Sequence, residues 1–493
     1  MKKLNSNFLE NEAFNKADYN YKQNELSPGI IHIGVGNFHR SHQAYYLDAL
    51  FNQRKDFDFG IVGAGLRDSC SAMRKDLLSQ DYLTTLVARD PNTTDVRILQ
   101  SMIDFVDNNN LLLIEALSSK DIKIVSLTIT EGGYYIDSYG EFNISHADIQ
   151  KDINNPEDPH TVFGVIISAL KNRKEKNIPP FTLMCCDNIA HNGNVLKNVI
   201  CKMAEEIDSS LAKYIIKNVT FPNSMVDRIT PMASKSDNNF ILENYGYEDL
   251  RPVFCEPFTQ WILEDNFCNT RPSLEDVGVM FVEDIQPYEL MKIRLLNGSH
   301  ACMSSLSALL NIEYVHEGLE DDLVKPFLDN IMKHEVIPVL RDIVDMDLDK
   351  YYQSVLTRFS NPYIADTITR IAMDNSNKQP KFVIDSIKDG IKNGTNINGL
   401  TLACALWCRY SIGTDEENRV LDINDPRKEL LIETALKAKD KPIVFLQMKD
   451  IYGDLAQNDK FVKIFSTYLN SIWENGVKAT VKNFNEEYKN SKG

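Results

Sequence analysis

The stretch IIHIGVGNFHRSH, residues 30–42, decides how the rest of the chain is interpreted. It begins as an apolar run typical of a buried strand and passes through two glycines into a segment with helical spacing. A strand, a glycine turn and a helix in this order form the context that a dinucleotide-binding loop needs. We expect Gly34 to make the tight turn and Gly36 to let the backbone approach a pyrophosphate, whose oxygens the N–H groups at the helix start would bind.

This glycine pattern is incomplete, because His39 stands where the third glycine of a GxGxxG motif would be. An ordinary strand-to-helix turn therefore remains an alternative. The acidic residue that binds the adenosine ribose usually ends the second strand, about 20 residues on. That strand, FGIVGAGL at 59–66, ends in glycines, and the nearest acid is Asp68. Asp68 is expected either to favour NAD by repelling the 2′-phosphate of NADP or to cap a helix.

Further strands and helices complete the predicted fold. The runs IKIVSLTIT (122–130) and FTLMCCDN (181–188) predict strands, whereas 220–231 has the composition of a turn-rich segment and 1–28 that of a polar arm or surface turn. Strands that alternate with helical segments predict a doubly wound parallel sheet. From about residue 285 helical periodicity dominates. Helices are predicted over 289–310, 327–344, 365–375, 381–391, 397–411, 428–438 and near 460–475.

The predicted fold class is therefore α/β, with a Rossmann-type doubly wound sheet domain followed by a mostly α-helical domain. The first domain is assigned to residues 1–285 and is expected to bind a dinucleotide. The second is assigned to residues 286–493 and is expected to carry the substrate and catalytic residues.

Composition excludes several classes of function. The formal net charge of -17 disfavours binding to nucleic acid or to an anionic membrane surface. The chain has no stretch of 18 apolar residues and no apolar run near its start, so we expect neither a membrane span nor a secretory signal, and a cytoplasmic location follows. The nine cysteines form no CxxC pair and are expected to be reduced. Cys404 and Cys408, one helical turn apart, leave metal ligation as the alternative.

The segment YELMKIRLLNGSH, residues 288–300, carries the predicted chemistry. At about 100° per residue on an α-helix, Glu289, Lys292, Asn297 and His300 share one side. A lysine in a dry pocket holds its proton less tightly and can serve as a general base, and an amide N–H can stabilise an alkoxide. The alternative is a solvated Lys292 on an amphipathic helix, with Asn297 as a local helix irregularity.

A competing motif is the YxxxK pair of short-chain dehydrogenases, which Tyr288 and Lys292 match. Those enzymes are about half this length, and their TGxxxGxG loop is missing from this sequence. Tyr288 is therefore interpreted as a packing residue at the start of a helix.

The chain resembles the polyol-specific long-chain dehydrogenase family from about residue 28 to about residue 460. Six runs carry the resemblance, in order: HIGVGNFHRSHQAYYLD, SLTITEGGYYID, CDNIAHNGN, PNSMVDRITP, PYELMKIRLLNGSHA and DTITRIAMDNSNK. The resemblance implies an NAD-dependent dehydrogenase that interconverts a sugar alcohol and a ketose and needs no metal.

The resemblance also implies a role for particular residues. Lys292 matches the catalytic base, Asn188 and Asn297 match the amides that hold the reacting oxygen, and His300 matches the residue that orients the substrate. Glu289 matches a carboxylate that relays the proton to water. The implied substrate contacts are Val226, Asp227, Arg370 and Lys378, and the implied cofactor contacts are Gly34, Gly36, Asn37, Phe38, Asp68 and Glu131.

The family includes enzymes for mannitol and fructose, for fructuronate and tagaturonate, and for arabinitol. His191 in CDNIAHNG resembles the mannitol enzymes, whereas uronate reductases tend to carry Glu there. A dinucleotide-binding sensor without catalysis is the alternative from another class, and the complete set of Asn188, Lys292, Asn297 and His300 argues against it. The expected partners are a small polyol or ketose and NAD, and the family resemblance favours a monomer.

Overall fold

The computed structural model describes residues 2–11, 19–136, 141–341 and 346–490. The chain divides into two compact units, Met1–Gln286 and Pro287–Gly493. The first unit contains the strands, and the second is built from helices. Among the helices of the described ranges, none combines the length and the apolar character that a bilayer crossing requires.

The strands of the first unit are β1 (Lys2–Lys3), β2 (Pro28–Ile33), β3 (Gly60–Ala64), β4 (Thr84–Arg89), β5 (Thr94–Leu99), β6 (Met102–Phe105), β7 (Ile124–Leu127), β8 (Thr182–Cys185), β9 (Ser224–Asp227), β10 (Tyr247–Glu248), β11 (Val253–Cys255), β12 (Gln260–Glu264) and β13 (Met280–Val282). Its helices are α1 (Ser6–Asn11), α2 (Asn37–Ser41), α3 (Gln43–Asn52), α4 (Asp68–Leu78), α5 (Asn110–Leu117), α6 (Ala147–Asn154), α7 (Val162–Glu175), α8 (Asn192–Ile207), α9 (Ser209–Asn218) and α10 (Lys235–Tyr245).

The main sheet has the strand order β6-β3-β2-β7-β8, and each neighbouring pair in it is parallel. The chain runs outward from β2 through β3 to β6 and then returns to the other side of β2 for β7 and β8. This reversal makes the carboxyl ends of β2 and β7 the switch point at which such sheets bind ligands. The predicted Rossmann-type doubly wound sheet is confirmed, with β2, β3, β7 and β8 at the four strands expected from sequence.

Alternating residues of these strands are buried on opposite faces of the sheet. Ile31 and Val125 pack with Phe163 on one face, while Ile30 and Ile124 pack with neighbours that include Leu47 on the other. Both faces are therefore covered by helices, which explains why these strands have near-continuous apolar sequences.

Two segments differ from the expectation. The stretch 220–231 contains β9, which pairs antiparallel with β12, so its interpretation as turn-rich is wrong for 224–227. Strand β1 pairs with β10, and Leu4 beside it is fully buried, so this part of the expected polar arm packs on the unit. In both cases the partner strand is distant in sequence, and a local pattern carries no information about it.

The helices of the second unit are α11 (Gln286–Met291), α12 (Gly298–Leu309), α13 (Val315–Glu320), α14 (Val324–Ile331), α15 (Ile337–Leu340), α16 (Leu348–Phe359), α17 (Ile368–Ala372), α18 (Asn375–Gln379), α19 (Asp385–Asn393), α20 (Asn398–Tyr410), α21 (Lys428–Ala438), α22 (Ile443–Leu446), α23 (Lys449–Tyr452), α24 (Asp459–Asn475) and α25 (Val477–Asn490). They enclose one continuous apolar core, in which Trp407 of α20 is among the largest buried side chains.

The predicted mostly helical character of this unit is confirmed, but three of its helices are not regular. Stretches of π-helix occupy Lys292–Asn297, Met332–Val336 and Pro380–Ile384. They interrupt the segments predicted as continuous helices over 289–310 and 327–344 and begin the one predicted over 381–391. Such wide turns depend on the packing around a helix and leave the apolar period of the sequence largely unchanged.

Candidate active site

The two glycines after β2 have different roles. Gly34 has φ +99°, and a Cβ atom there would lie 2.1 Å from the carbonyl oxygen of Thr128, at the end of β7. Only glycine can make this turn. At Gly36 a Cβ atom would meet nothing closer than the Gly34 carbonyl oxygen, at 3.8 Å. The turn is therefore compact on the side of β7 and has open space beside Gly36, as a bound pyrophosphate requires.

The short helix α2 that follows is held in place by two buried guanidinium groups. Arg40 is 1 % exposed and donates hydrogen bonds to the carbonyl oxygen of Arg251 and to Asn37 Oδ1. Burial lowers the pKa of Arg40 to about 10, so it stays charged at neutral pH. Arg228, directly after β9, donates to the Ser41 carbonyl oxygen at 2.6 Å. Asn37 and Phe38, the first residues of α2, are half-buried.

The carboxyl ends of β7 and β8 are joined through Asp187. Its carboxylate accepts hydrogen bonds from the backbone N–H groups of Ile129 (3.0 Å) and Thr130 (2.8 Å) and from the Tyr134 hydroxyl (2.6 Å). Burial raises the pKa of Asp187, and these three donors oppose that rise by stabilising the carboxylate. These hydrogen bonds fix the turn that leads to Glu131. They also hold Asp187 in place, directly before Asn188.

Two predicted site residues are exposed at this edge of the sheet. Glu131 follows the turn after β7, and Asn188 follows Asp187 after β8. Both positions belong to the carboxyl-terminal edge that also carries the glycine turn, so the sheet topology brings them together. His191, which the sequence analysis associated with substrate type, has a left-handed backbone with φ 52° and directly precedes α8.

Strand β9 is attached to these elements at both of its ends. Asn192 is fully buried and donates from Nδ2 to the Ser224 carbonyl oxygen at 2.8 Å, while its Oδ1 accepts from the Ser224 N–H at 2.9 Å. At the other end, Arg228 reaches α2. Val226 and Asp227, predicted to contact substrate, lie between these attachments and are 3 % and 5 % exposed.

In the helical unit, Lys292 is the first residue of a π-helical stretch and is only 8 % exposed. The interpretation of a solvated lysine is therefore wrong. Glu289, three residues earlier, is 6 % exposed. In the π-helix the Gly298 N–H donates to the Ile293 carbonyl oxygen, five residues back, instead of four.

The π-helix changes the predicted angular positions. The predicted positions assumed the α-helical angle of about 100° per residue. A π-helix has more residues per turn, so this angle is wrong between Lys292 and Asn297. Because hydrogen bonds here span five residues, Lys292 and Asn297 lie one turn apart on the same side. Isolated π-turns of this kind are frequent at functional sites.

Gly298 allows the Lys292–Asn297 stretch to pack closely against the π-helix of Pro380–Ile384. A Cβ atom at Gly298 would lie 3.2 Å from the carbonyl oxygen of Phe382, which is tighter than an ordinary contact. The close packing at this position explains why a glycine follows Asn297.

His300 lies one turn further, near the start of α12. Its ring stacks on Phe359 with the ring centres 4.1 Å apart, and no residue of the described ranges hydrogen-bonds to its buried Nε2. Burial lowers the pKa of His300 to about 3, so the imidazole is neutral at neutral pH. A buried ring nitrogen of this kind is normally satisfied by water or ligand.

Arg370 and Lys378 lie close enough to His300 for their charges to act on it. Both side-chain nitrogens Nε and Nη2 of Arg370 donate to the carboxylate of Asp366, which is 7 % exposed, whereas the Arg370 side chain is 60 % exposed. Lys378 Nζ donates to the Ile371 carbonyl oxygen at 3.3 Å. This unit therefore brings together His300 and the two cations that the sequence assigned to substrate.

Two family models match the chain. The mannitol dehydrogenase Rossmann domain matches residues 28–276, and the mannitol dehydrogenase C-terminal domain matches residues 284–473. The chain belongs to the mannitol dehydrogenase family. The resemblance seen in the six sequence runs is thereby confirmed.

Relatives in the mannitol dehydrogenase family match over nearly the whole chain. A mannitol 2-dehydrogenase of Cereibacter sphaeroides is 44 % identical over 94 % of this chain and 98 % of its own. The structure of Pseudomonas fluorescens mannitol 2-dehydrogenase in a ternary complex with NAD and D-mannitol is 40 % identical, covers 98 % of this chain and 99 % of its own, and has a TM-score of 0.84. A substrate-free D-sorbitol dehydrogenase is 32 % identical, with a TM-score of 0.89, over 97 % of this chain and 100 % of its own.

Some residues that support the site carried little signal in the sequence, and the roles assigned to the site residues stay predictions. The hydrogen bonds of Asp187, Asn192, Arg228 and Asp366 hold the elements that carry predicted site residues. The only signal for Asp187 and Asn192 was their presence in the run CDNIAHNGN. Helix α4 begins at Asp68, but the side chain of Asp68 lies outside the described residues, so its predicted role in choosing NAD remains a prediction.

Proposed function

We propose that this chain catalyses the NAD-dependent oxidation of D-mannitol at C2 to fructose, and the reverse reduction. The observation that carries the proposal is the buried Lys292 on a π-turn, with Asn297 one turn away on the same side. A base and an amide donor held in this way suit a secondary alcohol that must lose its proton and then hold a developing oxygen charge. Membership of the mannitol dehydrogenase family supports the choice of alcohol.

In this proposal the buried Lys292 acts as the general base that accepts the proton of the C2 hydroxyl group. Asn188 and Asn297 donate amide N–H groups to the reacting oxygen. His300, neutral at the working pH, hydrogen-bonds a neighbouring hydroxyl group. Glu289 lies three residues before Lys292, on the same face of the preceding helical turn, and passes the proton to water.

NAD, when bound, supplies the C4 position that accepts the hydride. The residues proposed to hold it are Gly34, Gly36, Asn37, Phe38, Asp68 and Glu131. The open face of Gly36 and the position of the turn at the switch point fit a dinucleotide. The division of labour follows the proposed domains, with the dinucleotide bound by residues 1–285 and the base supplied by residues 286–493.

Val226, Asp227, Arg370 and Lys378 are proposed to contact the remaining hydroxyl groups of the polyol. Cations donate hydrogen bonds to hydroxyl oxygens, and a carboxylate accepts them, so the set suits a neutral substrate rich in hydroxyl groups. Arg370 is already neutralised by Asp366, which favours a polyol over the uronate carboxylates that other family members use.

D-Sorbitol is a second candidate, because the D-sorbitol dehydrogenase structure has a TM-score of 0.89 with this chain. Mannitol and sorbitol differ only in configuration at C2, and oxidation there gives fructose from either one. The reverse reaction therefore distinguishes them, since the face on which hydride reaches fructose decides which alcohol forms.

The test is a substrate panel followed by product analysis. Absorbance at 340 nm is recorded with NAD plus mannitol, sorbitol or arabinitol, and with NADH plus fructose or fructuronate. Chromatography of the fructose reaction identifies the alcohol formed. Mannitol as the product supports the proposal and sorbitol supports the second candidate. Turnover of fructuronate alone, or NADH binding without turnover on this panel, would overturn both.

A monomeric state and a cytoplasmic location complete the proposal. The acidic surface implied by a net charge of -17 favours separate molecules through repulsion. Sedimentation at micromolar concentration gives the mass directly, and a dimer would contradict the monomer.

A further inference from the structure

A buried histidine lies directly beneath the glycine turn and has no role in the proposed chemistry. His32 is on β2, two residues before Gly34, and is fully buried. Its Nδ1 lies 2.8 Å from Ser126 Oγ and its Nε2 lies 2.8 Å from Thr128 Oγ1, so the ring spans from β2 to the end of β7. Thr128 Oγ1 in turn donates a hydrogen bond to the Gly34 carbonyl oxygen at 2.8 Å.

Counting donors fixes the direction of each of these bonds. A threonine hydroxyl has one proton, and Thr128 uses it on the Gly34 carbonyl oxygen, which can only accept. Thr128 Oγ1 must therefore accept from His32 Nε2–H. Burial lowers the pKa of His32 to about 3, so the ring is neutral and Nδ1 accepts from the Ser126 hydroxyl. The chain of bonds runs in one direction, from Ser126 through His32 and Thr128 to Gly34.

We call this chain of hydrogen bonds, from Ser126 through His32 and Thr128 to Gly34, the relay. Its last bond sets the orientation of the peptide that joins Gly34 to Val35. In a planar trans peptide the C=O and N–H groups point in opposite directions. Once Thr128 holds the Gly34 carbonyl, the Val35 N–H must point to the other side of the turn. The freedom of Gly34, whose φ is +99°, makes such a restraint necessary, because glycine alone leaves this peptide free to rotate.

The position of the missing third glycine has a related explanation. His39 on α2 stacks on His32, with ring centres 3.5 Å apart and an angle of 11° between the planes. His39 is 1 % exposed. The third glycine of a dinucleotide loop serves close packing between helix and strand. In this chain a stack of two imidazole rings occupies the space between α2 and β2.

We propose that His32 and Thr128 are positioning residues for the dinucleotide, acting through the Gly34 carbonyl, with His39 packed on the relay. This inference rests on the proposed function, since it assumes that the glycine turn binds NAD. It assigns a role to a buried histidine of β2 and to a half-buried threonine after β7, neither of which the proposed chemistry uses.

The test compares two substitutions at one position. Thr128→Val keeps the shape of the side chain but removes the hydroxyl, whereas Thr128→Ser keeps the hydroxyl. The affinity for NADH is measured by fluorescence titration, KM for NAD and kcat by turnover, and folding by the thermal unfolding midpoint. Thr128→Val is expected to weaken NADH binding and raise KM for NAD roughly tenfold, with kcat within about threefold of wild type. Thr128→Ser is expected to restore the wild-type values.

A double variant tests whether the residues act as one chain. His32→Phe keeps a ring against His39 but breaks the relay one bond earlier. If the relay is a unit, the double variant with Thr128→Val binds NADH no more weakly than the weaker single variant. Effects that multiply, or a lower unfolding midpoint with unchanged NADH affinity, would overturn the inference.

NADH binding by the wild-type protein distinguishes a failure of the positioning role from a failure of the proposed function. Wild-type binding of NADH together with equal binding by Thr128→Val overturns the positioning role alone. A wild-type chain that binds no NADH overturns the proposed function, and the positioning role with it.

Discussion

The two units of this protein position polar side chains by different means. In the unit of residues 1–286 they follow the carboxyl ends of parallel strands, and side-chain bonds such as those of Asp187 and Thr128 fix the turns that carry them. In the unit of residues 287–493 they project from helices, and a π-turn sets the spacing between Lys292 and Asn297. The unit that contains the sheet therefore positions its polar side chains by hydrogen bonds between residues distant in sequence. The helical unit positions them by a local distortion of a helix that the surrounding packing stabilises.

This difference leads us to expect binding and catalysis to respond separately to substitution. Changes at the glycine turn and at the end of β7 in the first unit act on dinucleotide affinity, whereas a change at Asn188, after β8, acts on the chemical step. Changes in the π-turn of the second unit act on the chemical step.

The largest expected effect comes from Lys292→Met. Without the base, kcat is expected to fall by about a thousandfold or more, since general-base catalysis alone contributes roughly 100-fold or more and loss of the proton acceptor also weakens oxyanion control. NADH affinity, measured by fluorescence titration, should stay near wild type. The control is Lys388→Met, an exposed lysine of α19 in the same unit. A Lys292→Met variant that keeps more than about a tenth of wild-type turnover would contradict the role of base.

The two glycines of the turn predict a second, contrasting pair of effects. Gly34→Ala places a Cβ 2.1 Å from the Thr128 carbonyl oxygen at a positive φ, so the unfolding midpoint should fall by more than about 5 °C. Gly36→Ala meets no close neighbour, so its unfolding midpoint should match wild type. Its added methyl group instead fills the space beside the turn, and NADH affinity should fall about tenfold or more. Wild-type NADH affinity in Gly36→Ala would show that the pyrophosphate does not approach this residue.

The π-turn itself is tested by Gly298→Ala. The new Cβ would lie 3.2 Å from the Phe382 carbonyl oxygen, so the contact must widen by a few tenths of an ångström and shift the neighbouring Asn297. Small displacements of this kind reduce rates, and we expect kcat to fall about tenfold with NADH affinity unchanged. The control is Gly394→Ala, at a helix end where a Cβ meets no neighbour; its φ of +68° makes some loss of stability expected, but kcat should stay at the wild-type value. Equal kcat values for the two variants would remove the catalytic argument for the π-turn.

The smallest expected effect is on stability at mildly acidic pH. Burial lowers the pKa of His32 and of His300 to about 3 and holds that of His39 well below its ordinary value. The unfolded chain takes up a proton on each histidine below about pH 6.5 while the folded chain does not. The contribution of His32 and His300 to stability is therefore fully present above pH 6.5 and falls as the pH drops toward 3, by up to about 1.4 kcal/mol per pH unit for each of the two. His39 acts in the same direction.

Replacing His39 by Phe, which keeps the stack, should reduce by several degrees the fall of the unfolding midpoint between pH 7 and pH 5. His300→Phe should do the same in the helical unit. His160→Gln, at an exposed position, serves as the control. A variant that loses as much stability as wild type over this range would contradict a buried neutral histidine at that position.

Much of this could be read from the sequence because the signals are local. The apolar runs at β2, β3, β7 and β8 predicted the sheet, and the spacing of Gly34 and Gly36 predicted the turn. The segment 288–300 identified Lys292, Asn297 and His300 as a set. In each case neighbouring residues carry the information, through backbone periodicity or the conformational freedom of glycine.

Other features exist only in the tertiary structure. Strand β9 forms because it pairs with β12, more than 30 residues away, and its own sequence does not indicate a strand. The π-turn at Lys292 has the same amino-acid pattern as an α-helix, and its width follows from packing that includes the close approach of Phe382 to Gly298. His32 and Thr128 are 96 positions apart, and no local pattern connects them. The sequence thus determined which residues are available for chemistry, and long-range hydrogen bonds and packing decided how those residues are oriented.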